Sequence, residues 1–422
     1  MSGLIAGSLP PRVSDVTALV QLLGAGERVF LPGSAAEVPS LTAALATDKA
    51  PPLDITATFA PGINASPLDG LPAGSIYRSI FALPAARDAH FSGRMKHMPM
   101  SYGAFAQRLW RMAFDTVVVQ VSTPDADGVC SLGAAVEFTP TVMARSRRIL
   151  AVVNTQMPHL PKSERFRLAD AAAYVEIDAP LVGYDVGAPA AEAAAIAGHI
   201  ASFIGDGACL QVGLGKAPDA LMRLLKDRRG LKLHSGMLSD GVRLLAESGS
   251  LDLNFEHTSC VHVGSGDYYA WLRDNPLFAI RECRVTHNAT TLAGLDRLVS
   301  VNSALSVDLF GQANLEMLNG RMVSGVGGAS DFSRAAAIAP DGTSIIALPS
   351  TSGKSNVSRI VPQLGGIASI PRHDVDVVIT EHGIADLRFC SIVERGERII
   401  EIAAPDHRPE LRAAFRDSVH RL

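Results

Sequence analysis

Apolar and polar positions alternate in blocks whose period switches repeatedly between two and 3.6 along the chain. Asp115–Ser122 reads DTVVVQVS, a β-branched run of the kind that forms a strand buried on both faces. Similar runs occur at Ile149–Asn154, Tyr174–Asp178, Cys209–Val212, Ser344–Leu348 and Val375–Thr380. Between them lie helical patterns at Ala191–Phe203, Asp219–Lys226 and Ser391–Ile402, with Gly and Pro marking the turns. Strands that alternate with amphipathic helices imply parallel sheets covered by helices, an α/β fold. The stretches Arg28–Leu45 and Cys209–Leu225 each read as apolar strand, Gly turn, Pro near a helix start, then helix. They suggest two related open-sheet halves. The Gly-, Pro- and Ala-rich region Pro180–Ala191 is the expected boundary, giving domains 1–190 and 191–422. Met1–Arg12 reads as a loose leading stretch.

Length and composition sharpen this picture. A chain of 422 residues, 47% hydrophobic and 19% charged, is long enough for two cores. A net charge of -4 argues against a broad nucleic-acid surface. The most apolar stretch, Leu181–Ile204, is interrupted by Asp185, Glu192 and His199, so no membrane span is expected. The first residues lack a basic-then-apolar secretory pattern. The five cysteines form no CxxC pair and no even framework, which points to buried thiols in a reducing compartment, the cytoplasm.

Several glycine pairs invite a nucleotide reading and fail it. The third glycine of GxGxxG would fall at Pro218, Tyr269 or Ser330, so a dinucleotide fingerprint is absent. Gly353-Lys354-Ser355 lacks the earlier glycine of a phosphate loop, no GxSxG elbow occurs, and no HExxH or other metal-ligand spacing is present, so no metal is expected. Three segments survive. Gln211–Pro218 links a strand to a helix, and free N–H groups at that helix start suit an anion, although a tight turn needs the same glycines. Ser324–Phe332 holds Gly325, Gly327 and Gly328, whose N–H groups can form an oxyanion nest, and Asp331 is placed to cap the next helix. His234–Gly241 reads as the turn that follows a short strand, Leu231–Leu233. Two carboxylates also stand at strand ends or in loops, Glu381 after Val375–Ile379 and Glu137 after the loop Thr123–Gly128. Each serves equally as a polar core or loop partner.

In their order along the chain, these segments resemble the acetyl-CoA hydrolase/transferase family of class I CoA-transferases, of the 4-hydroxybutyrate CoA-transferase type. The markers include Val121-Ser122-Thr123-Pro124-Asp125, Cys130-Ser131-Leu132-Gly133, Asn154 with Met157-Pro158, and Gln211–Gly215. They continue with Val301–Leu305, Asp308–Gln312, Ser324–Phe332, Pro349-Ser350-Thr351, Ser358-Arg359-Ile360 and Thr380–Leu387. The resemblance implies two α/β domains of CoA-transferase type and a homodimer or higher homo-oligomer. It implies coenzyme A as substrate and product rather than as a resident cofactor, with acyl-CoA and a small carboxylic acid as partners. It assigns CoA binding to Gly213, Leu214, Gly215, Lys216, Ala217, Gly311, Gly325, Gly327 and Gly328, with Asn302 and Gly328 at the reacting centre. In the family a Glu attacks the thioester from a His-Ser/Thr-Glu-Met/Leu segment before Ser-Asp-Gly. Here the flanks match and the glutamate position is Gly236. Three expectations stay open: acyl-CoA chemistry with water or an acceptor filling the space, a nucleophile moved to Glu137 or Glu381, or a silent CoA-binding relative.

Overall fold

The computed structural model describes residues 9–64, 70–83, 89, 91–188 and 190–420. Most of Met1–Arg12 lies outside them, but Arg12 bridges Tyr174 and Val13 donates to the Tyr174 carbonyl, so this end of the stretch is tied to a strand.

The chain divides into two compact units. The first contains residues 1–99, 104–184 and 258–285, and the second contains 100–103, 185–257 and 286–422. The first of these changes of unit after residue 104 falls at Tyr184. The segment 258–285 groups with the first unit, where Ala135 bridges Val261 and Cys283 N–H donates to the Glu137 carbonyl.

The first unit holds seven parallel strands: β1 (Arg28–Leu31), β2 (Asp54–Ala57), β3 (Ile76–Ser79), β4 (Met95–His97), β5 (Phe114–Val121), β6 (Ser146–Asn154) and β7 (Ala173–Ile177). Their order is β4-β3-β2-β1-β5-β6-β7. Every residue of β5 except Asp115 is buried, as its β-branched run predicts for a strand covered on both faces.

The main sheet of the second unit includes β8 (Cys209–Val212), β9 (Lys232–Leu238), β10 (Leu298–Ser303), β11 (Thr343–Ala347), β12 (Val377–Thr380) and β13 (Gly383–Asp386). Within it they follow the order β9-β8-β10-β11-β12-β13. All neighbours are parallel except β12 and β13, which form a hairpin. Helices α1 (Ala191–Ala201), α2 (Lys216–Leu224), α3 (Ala329–Ile338) and α4 (Ile392–Glu401) belong to this unit. Ser391 caps α4 in a capping box with Glu394, each side chain satisfying a free N–H of the first turn.

The suspected internal repeat has a structural counterpart. In each unit the strand of the repeat lies mid-sheet, β1 between β2 and β5 and β8 between β9 and β10. The chain runs outward from it on one side and returns on the other, so each strand ends at a topological switch point, where ligand crevices open. None of the five cysteines is in a disulfide, and all but Cys390 are buried. Burial pushes the Cys130 and Cys209 thiols up to about 12, leaving them protonated at neutral pH. No helix among the described residues is long and apolar enough to cross a membrane.

Candidate active site

At the switch point of the second unit, β8 delivers the chain into Gly213-Leu214-Gly215. Gly215 sits at φ +131°, a conformation open to glycine, and N-caps α2 without a side-chain hydrogen bond. The first N–H groups of α2 therefore lack a side-chain cap, and the helix dipole favours negative charge there. Helix α2 starts three residues before the Asp219 read from periodicity, which places Pro218 inside its first turn, where a missing N–H costs little. Gly215, Lys216 and Ala217 border a cavity of about 330 Å³ whose wall also includes Ser303, Pro349 and Arg359. Lys216 is exposed and Arg359 half-buried, so two cations border the cavity together with one exposed carboxylate, Glu192.

Position 236 lies in a strand, not in a turn. β9 runs to Leu238, past the Leu231–Leu233 expected from sequence, because Leu233, His234, Ser235 and Leu238 all find buried places in the sheet. The Ser235 hydroxyl is held between the carbonyls of Val212 and Met237. Gly236 is half-buried and does not adopt a left-handed φ, so its backbone would accept a side chain. The space is tight. A Cβ at 236 would stand 3.1 Å from Nε2 of His287 and 3.7 Å from the Phe332 ring. A Cβ at Gly328 would overlap the same nitrogen, so the close approach of His287 favours glycine at 328.

His287 is 4% exposed. Its Nδ1 lies 2.9 Å from the Thr286 hydroxyl, and its ring packs against Tyr102 and Phe332 with centroids 5.1 and 5.0 Å away. Burial, aided by nearby His234, pushes its pKa down to about 3, so the imidazole is neutral at pH 7. His234 is likewise pushed down by burial and shares Thr286, its Nε2 lying 3.0 Å from the Thr286 carbonyl.

The glycine loop before α3 is braced from residues 101–103. Tyr102 N–H donates to the Gly327 carbonyl at 3.0 Å. Asp331 is not the cap expected from sequence. Gly328 holds the N-cap position, and the Asp331 carboxylate accepts from the Ser101 hydroxyl at 2.7 Å and from Gly103 N–H at 2.9 Å. Burial raises the Asp331 pKa against these two hydrogen bonds. Gly327 takes a left-handed φ of +58°, while Gly325 is buried without one.

The remaining sequence candidates are held by partners of their own. Asn302 is buried, and its amide donates to Gln211, Ser300 and Ser333, tying β8, β10 and α3 together. Gly311 packs against Arg395 and Leu387. Glu381 stands in the two-residue loop between β12 and β13, where Ser350 donates to it through N–H and hydroxyl. Burial raises its pKa, but the Ser350 bonds outweigh that and hold the carboxyl below its ordinary value. In the first unit, Glu137 is buried at φ +41°, with Ser34 and Thr58 donating to its two oxygens at 3.1 and 3.2 Å. Ser34 and Glu37 follow β1 at that unit's switch point, and Asn64 donates to Glu37 at 2.6 Å. Sequence reading missed His287 altogether. It is a lone histidine before a helix-capping Asn288, and nothing nearby along the chain points to Gly236.

Residues 11–180 match the acetyl-CoA hydrolase/transferase N-terminal domain, and residues 264–415 match the acetyl-CoA hydrolase/transferase C-terminal domain. Over 376 residues the chain is 33% identical to a 4-hydroxybutyrate coenzyme A transferase of Clostridium kluyveri, spanning 86% of this chain and 87% of that one. The chain belongs to the acetyl-CoA hydrolase/transferase family. Among solved structures it is similar to RipA from Yersinia pestis, with a TM-score of 0.89 at 29% identity over 97% of both chains. It is also similar to a 4-hydroxybutyrate CoA-transferase from Porphyromonas gingivalis, with a TM-score of 0.78 at 28% identity over 97% of this chain and 98% of that one. Within this family member, the stretch between the two matched domains contains both the Gly213–Ala217 loop and Gly236.

Proposed function

We propose that the protein binds an acyl-CoA at the β8–α2 loop and acts on its thioester without forming a glutamyl-CoA intermediate at position 236. One observation carries this reading: the residue at that position has no side chain, and the volume beside it holds the His287 imidazole and the Phe332 ring. The cavity at Gly215–Ala217, with Lys216 and Arg359 on its rim, suits the phosphates of CoA. The N–H groups of Gly325–Gly328 suit the oxyanion formed when the thioester carbonyl is attacked. With no protein carboxylate in the attack, the incoming group is water, giving hydrolysis, or a small carboxylic acid acting directly.

Incubation with a panel of acyl-CoAs tests this. The protein mass is expected to stay unchanged, and borohydride is expected not to inactivate. A CoA adduct mapped to Glu137, Glu381 or another carboxylate would show that the nucleophile has moved. We also propose, from the family resemblance, that the working form is a cytoplasmic homodimer or higher homo-oligomer. Sedimentation as a stable 44.4 kDa monomer at micromolar concentration would count against the assembly.

A further inference from the structure

We propose that His287 is a catalytic base of this site, taking a proton from the water molecule that attacks the acyl-CoA thioester, so that the reaction is hydrolysis. The inference rests on the reading that position 236 supplies no nucleophile. Its own support is geometric. Nε2 of His287 lies 3.1 Å from the place of a Cβ at 236, in the volume that a longer side chain there would enter. The same nitrogen crowds Gly328, in the glycine loop proposed above to receive the oxyanion. Two glycines from distant parts of the chain, 236 and 328, thus leave room for one imidazole.

The rest of the ring is held for that task. Thr286 fixes Nδ1 at 2.9 Å, and Tyr102 and Phe332 hold the ring plane. With the ring proton on Nδ1, Nε2 carries the lone pair and acts as acceptor. The ring also borders a cavity of about 320 Å³ whose wall includes Leu292 and Pro371 as well as Ser330, Asp331 and Arg334, space in which a water molecule can reach the imidazole. Burial keeps the imidazole neutral at pH 7, so it enters the reaction as an acceptor rather than as a cation.

The step balances without a further reactant. Water gives one proton to Nε2 as its oxygen bonds to the thioester carbon, and the carbonyl electron pair moves onto oxygen. The oxyanion then re-forms the carbonyl, the C–S bond breaks, and the CoA thiolate takes the proton back from His287. The products are the free acid and CoA.

The experiment follows thiol release from acetyl-CoA and longer acyl-CoAs by the intact protein, and by H287A and H287N. It is run in ordinary water, in D2O and in 18O-water, with CoA binding measured by calorimetry. The expected result is hydrolysis by the unchanged protein, slower in D2O, with 18O in the released acid and none in protein carboxylates. Both variants should lose about 10²–10⁴-fold in rate while still binding CoA, as removal of a general base does. Added imidazole should restore part of the H287A rate. Hydrolysis that survives in H287N or H287A within a few-fold overturns the role of His287. So does CoA binding without hydrolysis by the unchanged protein. Should both variants fail to fold, a thioester-cleavage rate equal in H2O and D2O overturns it on the unchanged protein. 18O found in a protein carboxylate instead overturns the reading of position 236, a distinct outcome.

Discussion

A side chain that is absent matters here as much as one that is present. Gly236 has no left-handed φ to require glycine, yet His287 stands close above it. Burial of that imidazole has a consequence for stability. Folded, His287 titrates near 3; unfolded, near its ordinary 6.5. Above 6.5 neither state holds the proton and the histidine adds no pH dependence. Between 6.5 and 3 only the unfolded chain binds it, so stability falls as the pH is lowered through that window. The slope is about 1.4 kcal/mol per pH unit for each such group. His234 and His262, also pushed down by burial, act in the same direction. Urea unfolding at pH 7, 5.5 and 4.5 is expected to show H287N losing stability less steeply than the unchanged protein. Equal slopes would mean that His287 is not buried neutral.

At the scale of elements, the strands that sequence reading places best are those with continuous apolar runs. Cys209–Val212 has the bounds expected, and Val377–Thr380 begins two residues later than its pattern suggests. β9 was only partly legible, because His234-Ser235-Gly236 interrupts its apolar run and glycine is a poor strand former. Its neighbour β8 supplies what the sequence lacks, through pairing at Cys209 and Leu210 and the buried Ser235 hydroxyl. The start of α2 was misread for the opposite reason: Lys216 and Ala217 precede a proline, and proline in a first helical turn looks like a boundary. The glycine loops were legible as sites of close approach. What they approach was not, since His287 meets Gly236 only through the fold. This contact makes a specific prediction. G236E alone should overpack β9 against His287 and Phe332, costing about 1–3 kcal/mol, and should transfer CoA poorly. G236E/H287A removes the obstruction, and it should regain stability relative to G236E and form a glutamyl-CoA thioester detectable by mass. If G236E alone forms that thioester with unaltered stability, the imidazole does not occupy the space. G328V should displace His287 from the other side and weaken CoA binding. G327V should do so through its φ of +58°, at about 1–2 kcal/mol.

Across the whole molecule the same sheet pattern occurs twice, but its two switch points are furnished differently. In the first unit the loop after β1 meets buried, hydrogen-bonded carboxylates, Glu37 and Glu137, which disfavour an anion beside them. In the second the loop after β8 opens on a cavity with Lys216 and Arg359 at its rim and uncapped helix N–H groups beside them. An anionic ligand as large as CoA is therefore expected on the second unit. Its diphosphate should contribute through those cations, and its pantetheine arm should not. K216A is expected to weaken CoA by about 0.5–1 kcal/mol, a few-fold in Kd, as befits an exposed cation. R359A should cost more, since its guanidinium is half-buried and less screened. CoA at 100 times its Kd should stabilise the folded protein by about 2.7 kcal/mol and raise Tm accordingly. That gain should shrink in K216A/R359A and at high salt. Pantetheine, which lacks the phosphates, should bind the unchanged protein and the double variant alike and show little response to salt. Equal CoA binding by the unchanged protein and K216A/R359A at low salt would remove the phosphates from this cavity, and the search for the binding face would then move to the carboxylate-lined loop of the first unit.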